Sequence, residues 1–168
     1  MARFSVVGKR LPMIDARDKV TGAGLYTDDL VLPGMLVGKT LHSPHPHARL
    51  RRIDTRKAEA LPGVKAVVTG KDYPNKYGIL PIGHDEPVFA LDKVRYLGDN
   101  VAGVAAVSEE VARQALELIE VDYESLPAFF DPLESMEAET NWIHDDKPRN
   151  IEKEYHHLFG DVDAALKQ

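Results

Sequence analysis

The sequence predicts an α+β fold, a mixed sheet with helices packed on it, and three features carry that prediction. Residues 101–107 are an unbroken run of small and branched apolar side chains, the pattern of a strand covered on both faces. Ser108 follows as an N-cap, with Glu109 and Glu110 in the first helical turn. Val111, Ala112, Ala115, Leu116, Leu118 and Ile119 then recur on one helical face, opposite Arg113, Gln114 and Glu117. From Val121 the period drops to two, with Val121 and Tyr123 alternating with Asp122 and Glu124. Residues 93–132 therefore read as a strand–helix–strand unit.

The remaining elements follow in chain order. Residues 1–18 show no clear periodicity, residues 20–29 are a Gly-containing approach segment, and Pro33-Gly34 marks a turn. Residues 35–42 make a strand. The loop at 43–47 is set by Pro44 and Pro46, each of which pushes the preceding residue out of the helical region. Residues 50–54 make a second strand, and Asp54 or Thr55 caps a short helix through Leu61, which Pro62-Gly63 stops. Residues 64–69 make a third strand and complete a second strand–helix–strand unit. The two units share too little identity to be a repeat. Residues 70–91, with several Gly and Pro, form a long ordered loop, a length that in compact domains often accompanies function. Residues 95–97 are expected to form a hairpin with 101–107 across Gly98-Asp99-Asn100. Past Pro132, residues 131–139 form a short helix, 141–150 a linker and 163–168 a weak helix. The expected organisation is a lead segment at 1–19, the α+β domain at 20–132 and a tail at 133–168. Any parallel crossover in the sheet should be right-handed.

Composition narrows the function. A chain of 168 residues holds one domain of ordinary size plus tails. The net charge of −6 and the single short basic cluster, Arg49-Leu50-Arg51-Arg52, argue against a nucleic-acid partner. The absence of cysteine excludes disulfides, thiolate zinc sites and Cys-ligated iron–sulfur clusters within this chain, and fits a cytoplasmic location. No apolar run approaches the roughly 18 residues of a membrane span. The first ten residues lack the apolar core of a signal peptide.

Several groups invite a chemical reading. His42, His45 and His47 could supply imidazoles to zinc or copper, but Pro44 and Pro46 oppose a helical register, and a polar loop is the simpler use. His84-Asp85-Glu86 has the composition of an acid–base group and also of a solvated loop. His144-Asp145-Asp146 and His156-His157 lie in the tail and read as solvent-facing. Gly22-Ala23-Gly24 lacks the full phosphate-loop pattern, and Asp28-Asp29 suits a turn before Pro33. No catalytic, cofactor-binding or metal-ligating residue is assigned, because none of these groups forms an autonomous active site.

An ordered series of motifs carries a family resemblance over residues 7–166. It runs through Val7-Gly8, Lys19-Val20-Thr21-Gly22, Tyr26-Thr27-Asp28-Asp29, Ser43-Pro44-His45 and His47-Ala48-Arg49. It continues through Ile53-Asp54-Thr55, Leu61-Pro62-Gly63-Val64, Val67-Val68-Thr69-Gly70, Val94-Arg95-Tyr96 with Gly98, Val121-Asp122-Tyr123-Glu124 and Leu126-Pro127. In these motifs the chain resembles the N-terminal a/b hammerhead domain of the molybdenum-binding subunit of the xanthine dehydrogenase and aldehyde oxidase family. Gly78-Ile79-Leu80-Pro81-Ile82, Tyr96 to Ala106, His144-Asp145-Asp146-Lys147-Pro148 and Phe159-Gly160-Asp161-Val162-Asp163-Ala164-Ala165 are most similar to the 4-hydroxybenzoyl-CoA reductase branch. Gly98-Asp99-Asn100 departs from the Gly-Glu-Pro common in the family, with Asn100 still able to serve a turn.

The resemblance implies a scaffold domain of a multi-subunit oxidoreductase. The parent complex would contain molybdopterin cytosine dinucleotide, iron–sulfur clusters and FAD. Its partners would be the remainder of the molybdenum subunit, iron–sulfur and flavin subunits, and ferredoxin as electron donor. The branch implies reductive dehydroxylation of an aromatic acyl-CoA; the wider family, hydroxylation of the xanthine, aldehyde or carbon monoxide dehydrogenase type. The family's cofactor segments and catalytic glutamate lie downstream, so the chain reads as a fragment, a truncated frame or a split subunit, inactive alone. Ile79, Leu80, Pro81 and Ile82 are the candidate substrate-entrance loop. The reading from another class is a stand-alone binding or regulatory module for a ligand or metal.

Overall fold

The computed structural model describes residues 4–79 and 83–167. They fall into two compact units that divide after Met35. In the first, α1 (Ala16–Thr21) ends at Gly22, whose φ of 72° is the left-handed conformation that glycine adopts without strain. The N–H groups of Ala23 and Gly24 donate to the Asp18 carbonyl at 2.9 and 3.1 Å. Gly22-Ala23-Gly24 is thus a helix stop. At 6 residues α1 is too short to register as a periodic pattern, which is why residues 1–18 read as featureless. Asp29 closes a 3-10 turn at Thr27–Asp29 by accepting from the Tyr26 N–H at 2.8 Å.

The second unit contains β1 (Val37–His42), β2 (Ala48–Asp54), α2 (Arg56–Glu59), β3 (Val64–Thr69), β4 (Lys76–Tyr77), β5 (Glu86–Pro87) and β6 (Lys93–Val94). It continues with β7 (Asn100–Ala106), α3 (Glu109–Glu117), β8 (Glu120–Ser125), α4 (Pro132–Met136) and α5 (Val162–Ala165). The strands form a first sheet β1-β7-β3, a second sheet β6-β2-β8 and a small β4-β5 ladder.

The α+β class holds, with α3 packed on β1 and β7. The expected mixed sheet is corrected: every described pairing is antiparallel. The cause lies in the two strand–helix–strand units. In β2-α2-β3 the chain leaves the second sheet and enters the first, and in β7-α3-β8 it makes the reverse journey. Neither helix returns to its own sheet, so no parallel neighbours arise and the crossover rule has nothing to act on.

Alternation along β7 divides the core. Ala102, Val104 and Ala106 join Ala58 of α2 and Ala112, Ala115 and Ile119 at α3. Val101 faces the opposite way, toward Ala48, Ala90 and Val94. Leu41, Ile53 and Val121 pack against both clusters and tie the sheets together. Fully burying one valine such as Val101, 0% exposed, contributes about 1.5–3 kcal/mol. Ser108 caps α3 as its sequence requires, its Oγ accepting from the Val111 N–H at 3.3 Å.

Two further expectations change. Residues 95–97 do not form a hairpin with β7; the neighbouring Lys93 and Val94 pair with Arg49 and Ala48 of β2. The turn at 96–99 docks instead on Ser43, whose N–H donates to Asp99 O at 2.8 Å and whose carbonyl accepts from Gly98 N–H at 2.9 Å. Residues 141–150, read as a linker, are a hydrogen-bonded loop. Asn150 Oδ1 accepts from the Ile143 N–H at 2.7 Å, and Trp142 Nε1 donates to Ala138 O at 3.1 Å. The left-handed conformations at Asn141, Arg149 and Asn150 give this loop its shape.

Candidate functional site

Four of the histidines considered above have neighbours in the structure, and three of them, His42, His45 and His47, serve the fold. His42 Nδ1 meets the Gly98 carbonyl at 2.9 Å, and the His45 ring packs against Tyr123 with centroids 4.8 Å apart. His47, 1% exposed, has Nδ1 2.6 Å from the Pro127 carbonyl, so Nδ1 carries the proton and donates. His156 Nε2 lies 2.9 Å from Glu154 in the exposed tail. The imidazoles of 42, 45 and 47 are thus each committed to a different neighbour.

The long loop and the tail, by contrast, come together. Asp85 Oδ2 lies 3.2 Å from His144 Nδ1. Next to this pair Lys93, only 3% exposed, donates from Nζ to the Trp142 carbonyl at 2.9 Å and to Asp145 Oδ1 at 2.8 Å. A buried ammonium is tolerated only with such partners. The lysine in turn holds the Asp145 carboxyl below the usual carboxylate range. Across the loop, Lys147 Nζ reaches Glu152 at 3.1 Å, and that hydrogen bond raises the lysine's pKa.

These residues border two clefts that share Asp85 and His144. One, of about 470 Å³, is also lined by Glu86, Ser135, Lys147 and Glu152. The other, of about 250 Å³, also involves Asp92, Arg95 and Asp145. The Asp85–His144 pair can orient an imidazole. However, among the described residues no three His, Asp or Glu side chains converge as a metal-ligand set. With cysteine absent as well, this donor set does not fit an iron–sulfur cluster.

Local sequence could not reveal this junction. His84-Asp85-Glu86 and His144-Asp145-Asp146 were each visible as polar groups, but their contact spans the whole of β6, β7, α3 and β8. Lys93 gave no signal at all, because alternation in a two-residue strand is too short to mark an inward lysine. Of the candidate entrance residues, Ile79 is 93% exposed, while Leu80, Pro81 and Ile82 lie outside the described residues.

Comparison with known proteins gives a consistent result. Residues 21–127 match the family model described as aldehyde oxidase and xanthine dehydrogenase, a/b hammerhead domain. The chain is 47% identical over 155 residues to a probable xanthine dehydrogenase subunit from Bacillus subtilis, covering 91% of this chain and 20% of that protein. It is 38% identical over 167 residues to the nicotinate dehydrogenase large molybdopterin subunit of Eubacterium barkeri, covering 98% of this chain and 38% of that one. The crystal structure of the aldehyde oxidoreductase from Desulfovibrio desulfuricans superimposes with a TM-score of 0.75 at 32% identity, over 84% of this chain and 17% of that one. The chain thus spans between about a sixth and two fifths of these proteins. By the extent of the family match and the antiparallel two-sheet core it falls on, the chain belongs to the aldehyde oxidase and xanthine dehydrogenase a/b hammerhead family.

Proposed function

We propose that this chain is the N-terminal scaffold domain of the molybdenum-binding subunit of an oxidoreductase. The carrying observation is the pairing of a hammerhead match over residues 21–127 with side chains that are spent on packing and mutual pairing. The chemistry then belongs to further protein that holds molybdopterin cytosine dinucleotide. Iron–sulfur and flavin subunits complete the complex, in the cytoplasm, with ferredoxin as electron donor. Among the described residues no helix is long and apolar enough to cross a membrane.

The relatives' names favour a dehydrogenase of the xanthine or nicotinate type, and the family resemblance implies hydroxylation of a carbon centre. The narrower reading, reductive dehydroxylation of 4-hydroxybenzoyl-CoA, rests on the likeness of residues 78–82, 96–106, 144–148 and 159–165 to that branch. We assign the lead segment to 1–19, the scaffold to 20–132 and the tail to 133–168. Ile79, Leu80, Pro81 and Ile82 are assigned to the substrate entrance, a role for which the exposure of Ile79 is suited.

Metal analysis tests the scaffold reading. The purified chain should contain no stoichiometric molybdenum and should show no dehydrogenase activity, whereas the complex isolated from its native source should contain the chain's sequence together with molybdenum. Molybdenum bound by the chain alone, or a native source in which the chain occurs free of any molybdenum protein, would favour the stand-alone module instead. Assaying the complex with both xanthine and 4-hydroxybenzoyl-CoA separates the two substrate readings.

A further inference from the structure

His47 holds the place where the polypeptide leaves the second sheet. Its backbone carbonyl accepts from the Leu126 N–H at 2.9 Å, and its ring Nδ1–H donates to the next carbonyl, that of Pro127, at 2.6 Å. Two bonds from one residue therefore fasten the two residues that follow β8. The ring is 1% exposed, and its other nitrogen, Nε2, is buried with no hydrogen-bond partner among the described residues. With Nδ1 carrying the proton, Nε2 is a bare lone pair enclosed by protein.

The charges around it decide what a second proton would meet. Lys93 and Arg95, from β6 and the residue that follows it, both present positive charge to the ring. Asp145, from the loop at 141–150, presents negative charge to it, and that carboxylate is already engaged by Lys93 at 2.8 Å. Protonation at Nε2 would thus create a buried imidazolium beside two cations, with an N–H that has no acceptor.

We propose that His47 is an acid-sensitive bolt: neutral, it fastens the chain exit at Leu126-Pro127 to β2, and protonated, it releases that exit and loosens the Lys93–Asp145 latch beside it.

Burial, the largest influence on the ring, lowers its pKa, and Lys93 and Arg95 act in the same direction against the raising effects of Pro127 and Asp145. Between the ordinary histidine value of 6.5 and the lower folded value, the released state binds a proton that the bolted state refuses. Opening therefore becomes more favourable as pH falls below 6.5, by up to about tenfold for each pH unit in that window. Above 6.5 the bolt is fully closed. Among the described residues, the cores built on β7 contain only apolar side chains and Tyr123, whose pKa is raised above its ordinary value of 10.0, so they have no reason to follow.

Hydrogen exchange on the full chain between pH 7.5 and 5.0, corrected for intrinsic rates, reads the bolt directly. The expected result is falling protection at the Leu126 amide with constant protection at Val104 in β7. His47→Gln, whose side-chain amide can still donate to Pro127 but cannot titrate, should make Leu126 protection flat with pH. A second readout needs no variant: the 15N shifts of the His47 ring in the wild-type chain should show a proton on Nδ1 alone at pH 7 and on both nitrogens only as Leu126 opens. The idea is overturned if Leu126 keeps its protection while the ring is doubly protonated. It is equally overturned if His47→Gln opens with the same pH dependence as the wild type.

Discussion

The two three-stranded sheets are built from the same number of strands but held by different forces. The first sheet is organised around β7, whose Ala102, Val104 and Ala106 lie against the alanine-lined face of α3. The second is laced with charge. Arg51 pairs with Glu124 across β2 and β8, Lys57 pairs with Glu120, and Arg52 and Arg56 both reach Asp54. The hydrogen bond from Arg56 holds the Asp54 carboxyl far below the usual carboxylate range. Two of the three buried polar side chains among the described residues, His47 and Lys93, also lie here, the third being Ser43 at the end of β1. The first sheet is therefore expected to respond little to added salt, and the charged pairs of the second to weaken as salt rises.

Substitutions test that contrast. The largest effect is expected at Gly103, in the middle of β7, where a Cβ would lie 2.8 Å from Phe89 Cζ and 3.2 Å from Val68 Cγ2. Gly103→Leu should therefore overpack the site and cost about 3 kcal/mol, read from the urea midpoint and unchanged by added salt. A loss that depends on salt would erase the contrast. Next comes Val101→Ala, which opens a cavity where the first sheet meets Ala48 and Val94 of the second; about 2 kcal/mol should be lost. Ser108→Ala removes the cap from the helix that joins the sheets and should cost about 1 kcal/mol in the same assay. The smallest effect belongs to the second sheet's surface. Arg51→Gln should cost less than about 1 kcal/mol at low salt and nothing measurable in 1 M salt, because both partners are about half exposed. A larger, salt-resistant loss at Arg51 would show that the charged ladder is structural after all.

What the sequence revealed follows the same division. β7, α3 and β3 were legible because their apolar patterns are strong and complete within a few residues. The strand–helix–strand units were legible as units, but not the sheets their strands would join, since pairing depends on partners far away in sequence. β2 shows the difficulty well: its Ala48–Asp54 span is largely Arg and Asp, and its role as the centre of a sheet is visible only once β6 and β8 flank it. The charged junction at Asp85, Lys93 and His144 was hidden for that reason, and the loop at 141–150 was mistaken for a linker because its order comes from side-chain hydrogen bonds rather than periodicity.

The helices that ferry the chain between sheets also dictate when each sheet can exist. The first sheet draws on residues 37–42, 64–69 and 100–106, the second on 48–54, 93–94 and 120–125, so their strands interleave along the chain. A ribosome extruding this polypeptide cannot finish one sheet before starting the other. The first waits for β7 and the second for β8, the last strand of all, while β1, β2 and β3 remain with unpaired edges. Such long-range closure slows folding and makes it an all-or-none event late in synthesis. A nascent chain stalled before β7 is complete should therefore be protease-sensitive throughout, and full resistance should appear only once β8 is complete at Ser125.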